Sequence, residues 1–340
     1  MNLSPMDGVM AKLLSSDWHL DGNPSNSYRW DVFKELQAAA WEHDVDEIYL
    51  LGDIIDRKDR HSAAFVNQFI HALLATCTAL GPRLKKFRIM RGNHDKPLQG
   101  PAFWEFINPL HDIIQYISEP TPDGDVLLLP FSPNPMEEWQ GLNYADYKAI
   151  FIHATVTGAI SESGIELEGT KLPLLPRSVK IYSGDVHTPQ SVRNITYVGS
   201  PHPIKFGDTY DCRMLVLDDD YNIAHEIQLT PPRKVVGAIS SIDDLKRLRV
   251  MPGDTLRLVY NLPPDQLDEW GKLETEIAAW AKTSNVALES TEIVVETNKA
   301  GDSVNVELLP EESLREFATA EGIDTDLLDV GLALLAESLA

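Results

Sequence analysis

EIYLLGDIIDR, residues 47–57, is an apolar run followed by a glycine, two carboxylates and an arginine. A short, nearly unbroken apolar stretch ended by a turn signal reads as a strand buried on both faces. The same order recurs on either side of it. AKLLSS (11–16) precedes Asp17-Trp18-His19, and FRIMR (87–91) precedes Gly92-Asn93-His94-Asp95. AIFI (149–152) precedes His153, and KIYS (180–183) precedes Gly184-Asp185-Val186-His187. Each polar set falls at the carboxyl end of a strand, where open α/β sheets hold their ligands. The donors are oxygen and imidazole with no thiolate, a set that suits two hard or borderline divalent cations better than structural zinc.

Between these strands the chain reads as helix. Trp30, Phe33, Leu36 and Ala40 recur at helical spacing over residues 28–43, and a second helix runs over 62–80 to a stop at Gly81-Pro82. A short helix follows at 101–110. From residue 113 the segments shorten and become strand-rich, with turn residues between them. The expected architecture is α/β, a four-layer αββα sandwich over residues 1–230. Pro231-Pro232 punctuates the chain. A small α+β capping domain is expected over 233–300, with strands at 235–239, 254–260 and 287–296 and helices at 242–248 and 264–283. A C-terminal helical segment is expected over 305–340, made amphipathic by Leu327, Leu328, Val330, Leu332, Leu334 and Leu335 and suited to docking on a partner.

The 340 residues give ample capacity for a core, and 43% hydrophobic with 24% charged residues is ordinary for a globular protein. Cys77 and Cys212 are the two cysteines, too few for a disulfide framework. With no secretory h-region and no apolar run near membrane-spanning length, the expectation is a soluble, cytoplasmic protein without a membrane partner. The formal charge of −23 speaks against nucleic acid, but its distribution softens the objection. The last forty residues carry 1 basic against 10 acidic residues, whereas the first hundred carry 12 against 13. Basic residues gather beside two motifs: Arg57, Lys58 and Arg60, then Lys85, Lys86, Arg88, Arg91 and Lys96. They could form a local phosphate-attracting field, or in plainer terms a solvated helix face and strand flank.

The ordered motifs resemble the calcineurin-like metallophosphoesterase superfamily. GSPHPIKFGD (199–208) resembles an element of its DNA-processing branch, the SbcD-type nucleases. The resemblance implies that Asp17, His19 and His187 bind one metal, that Asp53 bridges two, and that Asn93, His153 and Asp185 bind the second. It further implies two divalent ions, Mn²⁺ above Mg²⁺, with DNA as substrate, an SbcC-type coiled-coil ATPase as partner and a homodimer. Two cations held by a shared carboxylate activate water for attack on phosphorus and take up charge on its oxygens. His94, next to a ligating Asn, is placed to protonate the leaving oxygen, with Asp95 to orient its ring. Arg57 and His61 are the candidates for substrate contact. The plainer readings are a loop brace with Asp56 and a helix-start surface residue.

The last motif departs from the usual Gly-His-x-His, reading Gly-Asp185-Val-His187. Asp185 either ligates as a harder donor or weakens the second site. Three functions follow. The first is an Mn-dependent DNA nuclease, exo- or endonucleolytic. The second is a phosphomonoesterase or small-molecule phosphodiesterase, and the third a catalytically weakened scaffold. His202 reads as packed between its prolines, and Trp18 and Trp104 as core or rim.

Overall fold

The alternation of side chains in the strands divides the core into layers. In β1 (Ala11–Ser15), Leu13 and Leu14 are both fully buried but point to opposite sides of the sheet. Leu13 joins Ile48, Phe87 and Ile89 beneath the helices, while Leu14 joins Tyr49, Met90, Leu128 and Phe151 between two sheets. The computed structural model describes residues 11–58, 61–95, 102–171 and 175–295, together with 328 and 332. Apart from Leu328 and Leu332, the expected C-terminal helical segment, and Arg60 and Lys96, lie outside the described residues.

β1 pairs parallel with β2 (Val45–Leu50), β2 with β3 (Lys86–Met90), and β3 with β4 (Ile114–Ile117). The helices α1 (Val32–Glu42) and α2 (Ala63–Leu80) pack on the outer face of this sheet through Phe33, Leu36, Phe69 and Leu73. Ser62 caps α2, its hydroxyl accepting from the Phe65 N–H at 3.1 Å, and Gly81 ends it at φ 58°. Contrary to the sequence expectation, Ala63–Arg83 is long and apolar enough to cross a membrane, with hydropathy 1.4. One face of it is core, however, with Phe65, Phe69, Leu73, Cys77 and Leu80 buried, as in a helix that covers a sheet.

The second sheet is built from β5 (Thr121–Asp123), β6 (Val126–Leu129), β7 (Ala149–His153), β8 (Lys180–Gly184), β9 (Gln190–Val192) and β10 (Ile195–Tyr197). Its order is β5-β6-β7-β8-β10-β9, with a parallel centre and antiparallel edges. β11 (Arg213–Leu217) and β12 (Ile223–Gln228) then return to the first sheet, antiparallel beside β1. The parallel-rich α/β sandwich is thus present. Its fourth layer is thin: Trp139, Leu175 and Val179, from a single helical turn α3 (Pro135–Glu138) and loops, cover Ile150, Ile152 and Leu127.

Residues 234–295 build a separate three-stranded parallel sheet of β13 (Lys234–Ile239), β14 (Thr255–Leu262) and β15 (Ala287–Val295). Its own core of Leu256, Leu258, Tyr260, Leu262 and Ile277 sits under α4 (Trp270–Thr283). Several expected α-helices are 3₁₀ in whole or part: Pro24–Asp31, Phe103–Leu110, Ile242–Arg247 and Pro264–Glu269. Each is eight residues or fewer, and short turns commonly settle for the tighter bonding.

Phe151 lies between the sheets, edge-on to Tyr49 and Tyr182 at 4.9 and 5.9 Å. Phe151→Ala is expected to cost about 3–5 kcal/mol in urea unfolding, because neither sheet can close a cavity walled by the other. A loss under about 1 kcal/mol would mean that the inter-sheet space repacks freely.

Candidate metal centre

The five polar segments meet at the carboxyl ends of β1, β2, β3, β7 and β8, so both sheets contribute. The loops after β1 and β2 run side by side: Asp17 N–H donates to Gly52 O at 3.0 Å and His19 N–H to Asp53 O at 3.0 Å. Asp17, His19, Asp53 and Asp185 all have left-handed backbone, with φ of 56°, 43°, 53° and 80°. Non-glycine residues rarely accept that conformation, and where they do it tends to mark functional sites. The surrounding structure fixes it here. Three successive carbonyls of the first loop are held: Asp17 O by Ser200 Oγ at 2.8 Å, Trp18 O by His202 Nε2 at 2.5 Å, and His19 O by the Arg29 guanidinium. The 199–208 element therefore braces the loop from behind. His202 is a donor in that brace rather than packing between prolines, and burial pushes its pKa well down.

Glycines allow the segments to close on one another. A Cβ on Gly92 would lie 2.1 Å from Asp53 Oδ1 and 2.2 Å from Asp53 N, and one on Gly52 would lie 2.3 Å from His153 Nδ1. Gly52 also has φ 99°, so a side chain there meets both a clash and strain.

The three expected histidine ligands turn Nδ1 outward and Nε2 inward. His153 Nδ1–H donates to Leu51 O at 2.6 Å, His187 Nδ1 lies 2.7 Å from Glu162 Oε1, and His19 Nδ1 lies 3.4 Å from Asp56 Oδ1. Inside, His187 Nε2 and His19 Nε2 are 3.2 Å apart. Asp53 Oδ2 is 3.6 Å from His19 Nε2, and Asp53 Oδ1 is 3.4 Å from His153 Nε2. The Leu51 carbonyl fixes tautomer and ring orientation at His153, as around metal-ligating imidazoles in general, while Asp56 and Glu162 stand beside the outer nitrogens of His19 and His187. Asn93 reaches the same centre, its amide end 3.0 Å from His153 Nε2. With nitrogen inward it donates to Asp53 at 2.9 and 3.1 Å and to Asp185 at 3.3 Å. With oxygen inward, acceptor faces acceptors, an arrangement that a cation reconciles. Asp185 turns Oδ1 toward His153 at 3.7 Å, and its Oδ2 accepts from Thr155 Oγ1 at 2.6 Å.

This donor set fits divalent metal. Asp17, His19 and His187 offer ligand atoms all within 4.8 Å of one another, and so do Asp17, Asp53 and His153. Burial of the carboxylates is compensated by the imidazoles. Burial, helped by the Asp53 charge, raises Asp17 despite the opposing charges of His153 and His187, whereas at Asp53 burial is overcome by the charges of His153 and His19, which hold the carboxyl low. In return, against its own burial, His153 is pushed up to about 10 by Asp53, Asp185 and Asp17. His187 is raised too, burial again opposing, by Glu162 and Asp17. Without metal the His153 ring therefore carries an extra proton at pH 7.5, and ligation through Nε2 must expel it. Metal uptake is expected to release on the order of one proton or more per protein, measured as a dependence of binding heat on the ionisation enthalpy of the buffer. A buffer-independent heat would remove His153 from the ligand set.

Not every expected residue takes its expected place. Asp95 does not orient His94. Its carboxylate accepts from the backbone N–H of Gly92, Asp53, Ile54 and Ile55 at 2.8, 2.8, 3.1 and 3.2 Å, tying the third motif to the second. Burial and the Asp53 charge raise it to about 7, with those N–H groups pulling the other way. His94 is instead held by Nδ1–H donation to Asp56 O at 2.8 Å, its ring edge-on to His19 at 4.7 Å. Asp56 was expected to brace Arg57, yet it stands beside His19 and lines the same cleft, and with His19 and His94 it makes a third group of possible ligands. Arg57 and His61 do not join the cluster. They line an adjoining pocket of about 350 Å³ with Leu20, Ser62 and Phe65.

The basic residues around the third motif turn elsewhere. Lys86 and Arg88 pair with Asp123, and Arg91 is buried against Phe131 O. The cations that do line the 740 Å³ metal cleft are Arg29, Lys205 and Lys234. Sequence reasoning missed all three, and also Glu162, whose carboxyl is held down to about 2, against burial, by His187 and Lys205. Trp18 and Trp104 are core side chains, 0% and 1% exposed.

Residues 12–212 match the family model described as calcineurin-like phosphoesterase. No curated protein matches the chain. Among solved structures, the crystal structure of Pseudomonas putida nuclease MPE is similar at 14% identity, over 64% of this chain and 87% of that one, with a TM-score of 0.32.

Proposed function

Because the chain belongs to the calcineurin-like phosphoesterase family, we propose that it is a metal-dependent phosphodiesterase acting on DNA, a nuclease of SbcD type. The observation that carries the reading is the position of Asp53, a buried carboxylate with one oxygen toward His19 and the other toward His153. Asp17, His19 and His187 would hold one cation and Asn93, His153 and Asp185 another, with Asp53 able to serve both. Two divalent ions held there, Mn²⁺ above Mg²⁺ given the oxygen and imidazole donors, supply Lewis acidity and a water activated for in-line attack. The chain's own residues do the rest. His94, anchored through Nδ1, presents Nε2 to the cleft and delivers a proton to the leaving oxygen. Lys205 and Lys234 line the same cleft and offer cations to a substrate phosphate on an otherwise acidic protein.

Full-length protein supplied with Mn²⁺ should hydrolyse bis(p-nitrophenyl) phosphate and cleave labelled DNA, and should lose both activities in chelator. Turnover of p-nitrophenyl phosphate alone, with DNA intact at every salt concentration, would favour the monoesterase reading. No bound metal after Mn²⁺ supplementation would favour the scaffold. Against the scaffold, Asp185 faces the Asn93–His153 pair, so the departure from the usual motif keeps a donor at that position.

A further inference from the structure

The metal cleft does not end at the metals. Asn26, Ile204, Lys205 and Lys234 line it and also line a second pocket of about 290 Å³, whose far wall is Phe206 and Arg257. Phe206 has two cations over its ring. The Arg257 guanidinium lies 4.0 Å from the ring centroid and Lys234 Nζ 5.4 Å. Lys234 is only 8% exposed and donates to Ile204 O at 3.3 Å. Among the described residues no carboxylate comes within ion-pair distance of either Lys234 or Arg257. Lys205 has Glu162 at 3.9 Å. One acidic side chain, Glu289, lines this pocket, and it is solvent-exposed.

We propose that the Lys205–Lys234–Arg257 pocket is a second phosphate subsite, which takes a non-scissile backbone phosphate of a polynucleotide whose scissile phosphate lies at the metals. The inference rests on the proposed function and extends it to substrate choice. A monoester has one phosphate, which the metal cluster claims. Only a chain with a further phosphate can fill both pockets at once. Holding the buried Lys234 ammonium beside the Arg257 guanidinium, with no carboxylate among the described residues at ion-pair distance, is costly, and a phosphate offsets that cost. The ring contact fixes the plane of Arg257 in advance, so little freedom is lost when an anion docks. Burial and the nearby Arg29 charge bring Lys234 down to about 8, which an arriving anion would reverse.

The test uses Mn²⁺-loaded full-length protein and a fluorescent twelve-nucleotide strand with a cleavage-resistant phosphorothioate backbone. Arg257 is exposed on the open face of β14, so Arg257→Gln should fold normally. This variant is expected to weaken strand binding about 5–20-fold and to lower the slope of log Kd against log salt by about 0.7, the loss of one single-strand phosphate contact. Arg257→Lys should keep the slope. Wild-type affinity and slope in Arg257→Gln would overturn the subsite. So would an Arg257-dependent affinity for dTMP as strong as that for the strand, which would mark a lone-phosphate site. The enzymatic reading fails by a different result, the absence of metal-dependent bis(p-nitrophenyl) phosphate hydrolysis in the wild type, whatever Arg257 does to strand binding.

Discussion

Gly92→Ala is expected to reduce kcat/KM by at least about 10²-fold and metal affinity by about 10–100-fold, although it adds a single methyl group. The methyl would lie 2.1 Å from Asp53 Oδ1 and 2.2 Å from Asp53 N, and neither atom is free to retreat. The Asp53 N–H is anchored on Asp95 at 2.8 Å, and Oδ1 accepts from the His94 N–H at 2.8 Å. Either the 92–95 turn moves and takes Asn93 and His94 with it, or Asp53 moves and leaves the position between His19 and His153. Metal titration by calorimetry, alongside turnover, would separate the two. Wild-type affinity together with wild-type turnover would show that the two loops are not rigidly joined.

His94→Ala should lower turnover of DNA by on the order of 10²–10⁴-fold, the usual loss for a general acid, while metal content stays at the wild-type level. The leaving group supplies the discriminating measurement. p-Nitrophenolate departs without protonation, so the defect on bis(p-nitrophenyl) phosphate should be much smaller than on an alkyl phosphodiester. Equal defects on both would remove His94 from the acid role. Loss of metal in the variant would instead move His94 among the ligands, beside His19 and Asp56, whose atoms are near enough to allow it.

The strands and the polar residues that end them could be read directly from the sequence, because burial on both faces leaves an apolar run and a metal site leaves a break in it. EIYLL and KIYS became β2 and β8, and the donors that follow them face one another across the two sheets. The residues that support the donors left no such mark. Glu162 sits in an irregular loop, and only the fold brings it to His187. Lys205 lies in a loop, and Lys234 and Arg257 on two neighbouring strands of the third sheet, all far apart in sequence, so no run of basic residues announces them. Lys86, Arg88 and Arg91 do form such a run, and strand geometry turns them toward Asp123 and Phe131. Asp95 was read from adjacency to His94, but a carboxylate with four backbone N–H groups in reach satisfies those first.

With donors drawn from the ends of five strands in two separate sheets, ions bound there would act as a rivet through the sandwich. Slippage of one sheet over the other would pull His153 and Asp185 away from Asp17 and Asp53 well before either sheet frayed. Drift in the packing of Leu14, Tyr49 or Phe151, far from any substrate, should therefore register first as weakened grip on metal and only later as lost fold.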